Sequence, residues 1–104
     1  MGVTKGRLLG PADAPETGER AAEITRLGGV VVEQILSGAV GAPVDFDQPH
    51  DEWVVVLAGD AVLDVAGERV LLVAGDWVLL PARTPHRLVR TSPGTSWLAL
   101  HGRA

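Results

Sequence analysis

The sequence predicts an all-β domain, a sandwich or closed barrel built from short antiparallel strands. From Glu52 onward, short apolar runs alternate with glycine-containing turns every eight to ten residues. Regularly spaced short strands of this kind are typical of β-sandwiches and small barrels. The connections are also short, which favours antiparallel neighbours because parallel strands need long crossovers.

The composition restricts the size and the function classes. The chain has 104 residues, of which 46% are hydrophobic, enough for one core, and we expect a single domain over residues 1–104. The net charge of −4 argues against a nucleic-acid partner or an anionic membrane surface, which both need a basic field. The chain has no cysteine, so disulfides and thiolate metal ligands are excluded.

Nothing in the sequence indicates a targeting or membrane segment. The amino-terminal residues 1–7 lead into only a short apolar pair, unlike a signal peptide. The longest unbroken apolar run, Trp53 to Ala58, is far shorter than the roughly 18 residues of a membrane span. We therefore expect a cytoplasmic protein without a membrane partner.

The strands are placed by β-branched runs and turn signals. Residues 1–18 are expected to form an irregular lead-in, since 9–18 contain two prolines and two glycines. The pattern of residues 19–27 fits either a short helix or a strand. A barrel core over residues 30–101 is predicted to contain strands at 30–36, 52–57, 61–65, 69–73, 77–80, 86–91 and 95–101.

Two short motifs resemble those of the cupins, a family of small jelly-roll barrels. Glu52 and Gly59 match the glutamate-to-glycine spacing of the first cupin motif, and Gly75, Pro81 and His86 match the second in register. The resemblance covers about residues 30–101. It implies an antiparallel jelly-roll β-barrel with a metal or ligand site at its mouth.

The chain departs from the family at the remaining ligand positions. The two histidines of the first motif fall on Phe46 and Gln48, or on Asp45 and Asp47 if the spacing is one residue longer. Of the four usual metal ligands, only Glu52 and His86 carry over directly. In the second motif, Arg83 replaces an inner glycine and Arg90 replaces a closing asparagine.

A divalent metal site is nevertheless one hypothesis. His50 precedes Glu52 by two residues, so both face the same side if the strand begins that early. His50, Glu52 and His86 with Gln48, or with Asp47 or His101 in its place, would form a nitrogen–oxygen ligand set for Zn, Mn, Fe or Ni. The alternative is that His50 is a solvated loop residue.

Glu52 and His86 are also the catalytic candidates. A carboxylate at the edge of an apolar barrel can act with a histidine as a general acid–base pair without metal. The alternative for Glu52 is a structural hydrogen bond to a neighbouring strand or to an arginine.

Two further residues are candidates for binding substrate. Arg90 shares the parity of His86, and we predict that it reaches inward to hold a carboxylate. His101 ends the last strand and approaches the barrel mouth if the face of Trp97 points inward. The alternatives are a surface position for Arg90 and, favoured for His101, a solvated position at the end of the chain. Arg83 and Arg87 are expected on the solvated surface.

The tryptophans Trp53, Trp77 and Trp97 are assigned to the core or to an interface rather than to a stacking site. Both faces of the strands at 54–57 and 77–80 are apolar, which predicts a homodimer.

Two functions follow from the candidates. The first is a protein, with or without enzyme activity, that binds a divalent metal and a small organic ligand at the barrel mouth. The second is a metal-free barrel that binds or senses a small molecule. The residues leave substrate and reaction open.

Overall fold

A computed structural model describes residues 2–102, which fold into strands and one short 3-10 turn at Pro11–Asp13. The strands are β1 Glu19–Leu27, β2 Val30–Ser37, β3 Val44–Phe46, β4 Glu52–Ala58, β5 Asp60–Val65, β6 Glu68–Val73, β7 Trp77–Leu80, β8 His86–Thr91 and β9 Thr95–His101. The undecided segment 19–27 is therefore a strand, and β3 is a strand that the sequence did not predict.

The strands form two antiparallel sheets, which confirms the predicted jelly-roll architecture. One sheet has the order β1-β2-β9-β4-β7 and the other the order β3-β8-β5-β6. In the described part of the chain no helix is long and apolar enough to cross a membrane. The cytoplasmic location expected from the sequence stays a prediction.

The core lies between the two sheets and follows from the alternation of side chains along each strand. Its members are buried side chains of β4 to β9, namely Val54, Val56, Ala61, Leu63, Leu72, Leu80, Leu88, Trp97 and Ala99. Burying one large apolar side chain of this kind contributes about 1.5–3 kcal/mol. The assignment of Trp97 to the core is confirmed, since this residue is 4% exposed.

The irregular amino-terminal segment packs on the outer face of the larger sheet at β2. Gln34 on β2 is 2% exposed, and its side-chain amide pairs with the backbone of Leu9 at 2.7 and 3.0 Å. Its nitrogen Nε2 also donates to Ser96 Oγ on β9 at 3.1 Å. These bonds satisfy a polar group that would otherwise be costly to bury.

Gly59 forms the corner where the chain passes from one sheet to the other, between β4 and β5. Its φ angle is +88°, in the left-handed region that favours glycine. A side chain here would also meet the buried strand β9, because an added Cβ would lie 2.8 Å from Thr95 Cα. The motif glycine is therefore required by both conformation and space.

We expect Gly59→Ala to lower the free energy of unfolding by about 2 kcal/mol or more, from backbone strain and the collision with Thr95. Gly67→Ala is the matched control, because Gly67 has a φ of +84° but open space around its Cα. It should lose only the conformational contribution, about 1 kcal/mol. Urea denaturation measures the loss of unfolding free energy in both variants. Equal losses would show that the close approach of Gly59 to Thr95 does not destabilise the alanine variant.

Candidate functional site

A cavity of about 250 Å³ lies between the two sheets, above the apolar core. Its apolar walls include two aromatic rings and aliphatic side chains of both sheets: Phe46, Trp97, Ile35, Val54, Leu63 and Leu88. Its polar lining comes from Glu19, Glu33, Gln48, Glu52, His86 and His101. An apolar pocket with a few convergent polar groups is the usual form of a small-molecule site.

Glu52 and His86 reach this cavity from opposite sheets. Glu52 begins β4 and shares its inward face with Val54, whereas His86 begins β8 and shares its inward face with Leu88. Both are buried, with 7% and 9% of their surface exposed. The structure thus brings into one cavity the two residues that match metal-ligand positions of the cupin motifs.

Gln48 lies beside Glu52 and is held there by the loop after β7. Its nitrogen Nε2 donates to Glu52 Oε1 at 3.1 Å, and its backbone carbonyl accepts from the Arg83 amide at 2.7 Å. The side-chain oxygen Oε1 of Gln48 is buried and has no hydrogen-bond partner among residues 2–102. A buried acceptor of this kind costs free energy unless a ligand or water donates to it.

The ring of His86 is fixed by two contacts. Its Nδ1 lies 3.0 Å from the carbonyl oxygen of Thr84 and must therefore carry a proton and donate. The ring of Phe46 stacks on it, with 5.2 Å between centroids and 14° between planes. In the neutral ring Nε2 is then the acceptor.

His50 does not line the cavity itself but supports His101, which does. Nε2 of His101 donates to Glu33 Oε1 at 2.8 Å, since a carboxylate only accepts. In the neutral ring Nδ1 of His101 then accepts from Nε2 of His50 at 3.0 Å. The result is a Glu33–His101–His50 chain that joins β2, β9 and the loop before β4.

Two lining residues, Glu19 and Glu33, were missed in the sequence. Glu33 is the single charged residue of β2, and this was the available signal for a functional carboxylate. Glu19 offered none, since residues 19–27 could not be assigned to a strand or helix.

Glu19 is exposed as a residue, but its oxygen Oε2 accepts a hydrogen bond from the buried hydroxyl of Ser37 at 2.9 Å. Burial raises the pKa of the Glu19 carboxyl above its usual range, and the hydrogen bond from Ser37 offsets part of this rise. The negative charges of Glu52 and Glu33 raise this pKa further.

The prediction that Arg90 reaches inward is wrong. The pairing of β5 with β8 shifts register between Val62 and Leu63, so that Val62 pairs with Arg90 and Leu63 with Leu88. A bulge of this kind reverses the alternation of side chains. Arg90 is consequently exposed and lines a separate shallow groove on the outer face.

Arg83 and Arg87 are exposed, as expected, and pair with carboxylates of the β3 region. Arg87 Nε donates to Asp45 Oδ1 at 2.6 Å, and Arg83 Nη1 lies 3.6 Å from Asp47 Oδ1. Arg83 has a φ of +60°, so it adopts the left-handed backbone that favours glycine, at the position where the cupin motif has a glycine.

The donor side chains do not fit a resident metal ion. Within residues 2–102 no group of three or more histidine or carboxylate side chains is placed to hold one. Glu52 is engaged by an amide of Gln48 and His86 by the ring of Phe46, in place of further ligands. Protein metal sites usually need three or more such ligands.

The fold and the pocket define the class of the protein, a small antiparallel β-barrel with a cavity between its two sheets. The family model described as cupin domain matches residues 31–100, and the chain belongs to this family. No curated protein matches the chain.

Solved structures with the same fold include a candidate mannose-6-phosphate isomerase from Ralstonia eutropha. It is 33% identical, with a TM-score of 0.80, and the match covers 98% of this chain and 100% of that one. KdgF from Halomonas sp. is 20% identical, with a TM-score of 0.72 and coverage of 84% and 81%. The cupin domain of an XRE family transcriptional regulator from Enterobacter cloacae is 18% identical, with a TM-score of 0.67 and coverage of 83% and 97%.

We expect Glu19→Gln to stabilise the protein increasingly as the pH rises. The pKa of Glu19 is higher in the folded chain than its ordinary value of 4.5, so ionisation disfavours folding. The wild type therefore loses stability, relative to the variant, as the pH rises from the unfolded-state pKa through the folded-state pKa. Melting temperatures of both proteins between pH 4 and 8 test this. If the melting temperature of the variant minus that of the wild type stays constant or falls as the pH rises, the prediction is contradicted.

Proposed function

We propose that the chain binds a small organic molecule in the cavity between the sheets, without a resident metal, and that Glu52 and His86 contact this molecule. The observation that carries the proposal is the pair of contacts around these two residues. Gln48 and Phe46 occupy positions where the cupin motif has metal-binding histidines, and they bind Glu52 and His86 through a hydrogen bond and a ring stack.

Acid–base chemistry is the activity that this arrangement supports, if the bound molecule is converted. The Glu52 carboxylate can accept a proton from a ligand, and His86 can accept or donate one at Nε2 while Nδ1 is held by Thr84. Neither step needs a metal. A reaction of this class would move a proton between two positions of one small molecule.

The structural relatives are compatible with either a catalyst or a binding module. The Ralstonia protein carries the name of an isomerase, and the Enterobacter domain belongs to a transcriptional regulator. The second likeness is too distant to support more than the fold. An assay for chemical conversion of the bound molecule therefore decides between a catalyst and a binding module.

We expect Glu52→Gln and His86→Gln each to weaken ligand binding, because both side chains face the cavity. Molecules from a library of small organic compounds that raise the melting temperature of the wild type provide the probe. A ligand at 100 times its dissociation constant stabilises the native state by about 2.7 kcal/mol. Glu68→Gln, exposed at the start of β6, is the matched control and should keep the full shift.

The role of metal is tested by repeating the melting-temperature measurements in EDTA and by elemental analysis of the untreated protein. Shifts that persist in EDTA support the proposal. Shifts that vanish in EDTA, together with about one metal per chain in the wild type and none in His86→Gln, would establish the metal site predicted from the sequence instead.

We also propose that the chain is a homodimer, through the outer face of the larger sheet. Trp77 and Leu79 on the edge strand β7 are 60% and 55% exposed, and Leu57 on β4 is 39% exposed. Trp53 lies against Trp77 with 6.1 Å between ring centroids, which makes the patch continuous. Exposed apolar patches of this kind are typical of interaction sites.

We expect Leu79→Ser to shift the protein from dimer to monomer, because it places a hydroxyl in the centre of this patch. Leu71→Ser is the matched control, since Leu71 is 68% exposed but lies on β6 of the other sheet. Light scattering after size-exclusion chromatography measures the mass of each variant. A monomeric wild type, or a dimer that survives Leu79→Ser and dissociates with Leu71→Ser, would exclude this interface.

A further inference from the structure

The cavity carries an excess of negative charge. Three carboxylates, from Glu19, Glu33 and Glu52, line it, and none of the lining residues in the described part of the chain is lysine or arginine. The arginines that follow β7 and lie on β8 point to the surface instead. An anionic ligand would therefore meet repulsion, whereas a cation would be attracted.

The hydrogen-bonding groups that line the cavity also favour a cationic ligand with N–H donors. The Gln48 amide nitrogen is used by Glu52, which leaves its buried oxygen without a donor. His86 is nine-tenths buried, and its Nδ1 is used by Thr84, so that Nε2 of the neutral ring remains as an acceptor. The site is thus rich in acceptors and needs a ligand with several donors.

The walls and the size restrict the ligand further. The rings of Phe46 and Trp97 line the cavity, and aromatic faces attract organic cations. The volume of about 250 Å³ is below the range of about 300–1,000 Å³ that holds drug-sized molecules. A bare metal ion is not favoured, because no three ligand side chains converge within residues 2–102.

We propose that the ligand of this cavity is a small organic cation with N–H donors, a primary or secondary amine, whose ammonium group lies among Glu19, Glu33 and Glu52. This inference rests on the proposed function, binding of a small organic molecule between the sheets. The ammonium group donates to the carboxylates and to Gln48 Oε1, and its apolar part contacts the two rings. A phosphorylated sugar, the substrate class in the name of the Ralstonia protein, lacks a cationic partner here.

Two sets of matched probes test the sign of the charge. Cyclohexylamine, cyclohexanol and cyclohexanecarboxylate share one carbon skeleton, and glucosamine, glucose and glucose 6-phosphate share another. The screen also includes a library of small primary and secondary amines, each with its alcohol and carboxylate analogue. Calorimetry and melting temperatures at pH 7 and low salt measure binding. We expect amines to bind at least about tenfold more tightly than their alcohols.

Charge-neutral variants show whether the carboxylates cause this preference. Glu19→Gln and Glu33→Gln keep the shape of the side chain and should each weaken amine binding several-fold, with circular dichroism confirming the fold. Glu68→Gln is the control outside the cavity and should leave the affinity unchanged. Affinity for an amine should also fall as salt is added.

The outcomes separate this inference from the proposed function. Binding of alcohols as tight as that of amines, or tighter binding of carboxylates or glucose 6-phosphate, overturns the amine assignment while the cavity remains a small-molecule site. Amine binding that is unchanged by both Glu19→Gln and Glu33→Gln also overturns it. If no member of any class binds, both proposals are wrong.

Discussion

The hydrogen bond from the buried indole of Trp97 to Ser37 ties the core of this barrel to the wall of its cavity. Nε1 of Trp97 donates to Ser37 Oγ at 3.0 Å, and this hydroxyl donates to Glu19 Oε2. A buried indole N–H usually finds an acceptor, and here the neighbouring strand β2 provides it. The ring that completes the core is therefore also the ring that orients a carboxylate at the cavity rim.

The cupin motifs in this chain separate into residues that shape the backbone and residues that define the site. Gly59 is retained where a side chain would meet Thr95, and Arg83 keeps a left-handed backbone even without glycine. Phe46 and Gln48, by contrast, replace ligands with a stacking ring and an amide. The chain thus has the barrel fold of its family, with a ring and an amide at the positions where the cupin motif has metal-binding histidines.

The strands from Glu52 onward could be predicted because glycine turns and apolar alternation act locally. The short β3 could not, since Val44–Phe46 is defined by its pairing with β8 and has no pattern of its own. Arg90 was misplaced because a register shift against β5 reverses its parity, and this depends on the partner strand. Glu19 and Glu33 share a cavity with Glu52 because the order β1-β2-β9-β4 brings distant segments together, and a single sequence does not specify this order.

The electrostatics of the cavity imply that the site is maintained at a cost to stability. Glu19, Glu33 and Glu52 line one cavity, where burial and the negative charges of Glu52 and Glu33 disfavour the charged form of Glu19. A chain selected for stability alone would place apolar side chains at these positions, as it does at Ile35 and Val54. The unfavourable charge is relieved when a positive group enters, so the same interactions that weaken the free protein strengthen its complex. The unfavourable ionisation of Glu19 in the folded chain and the proposed affinity for a cation therefore have one physical origin, the negative charge of the lining.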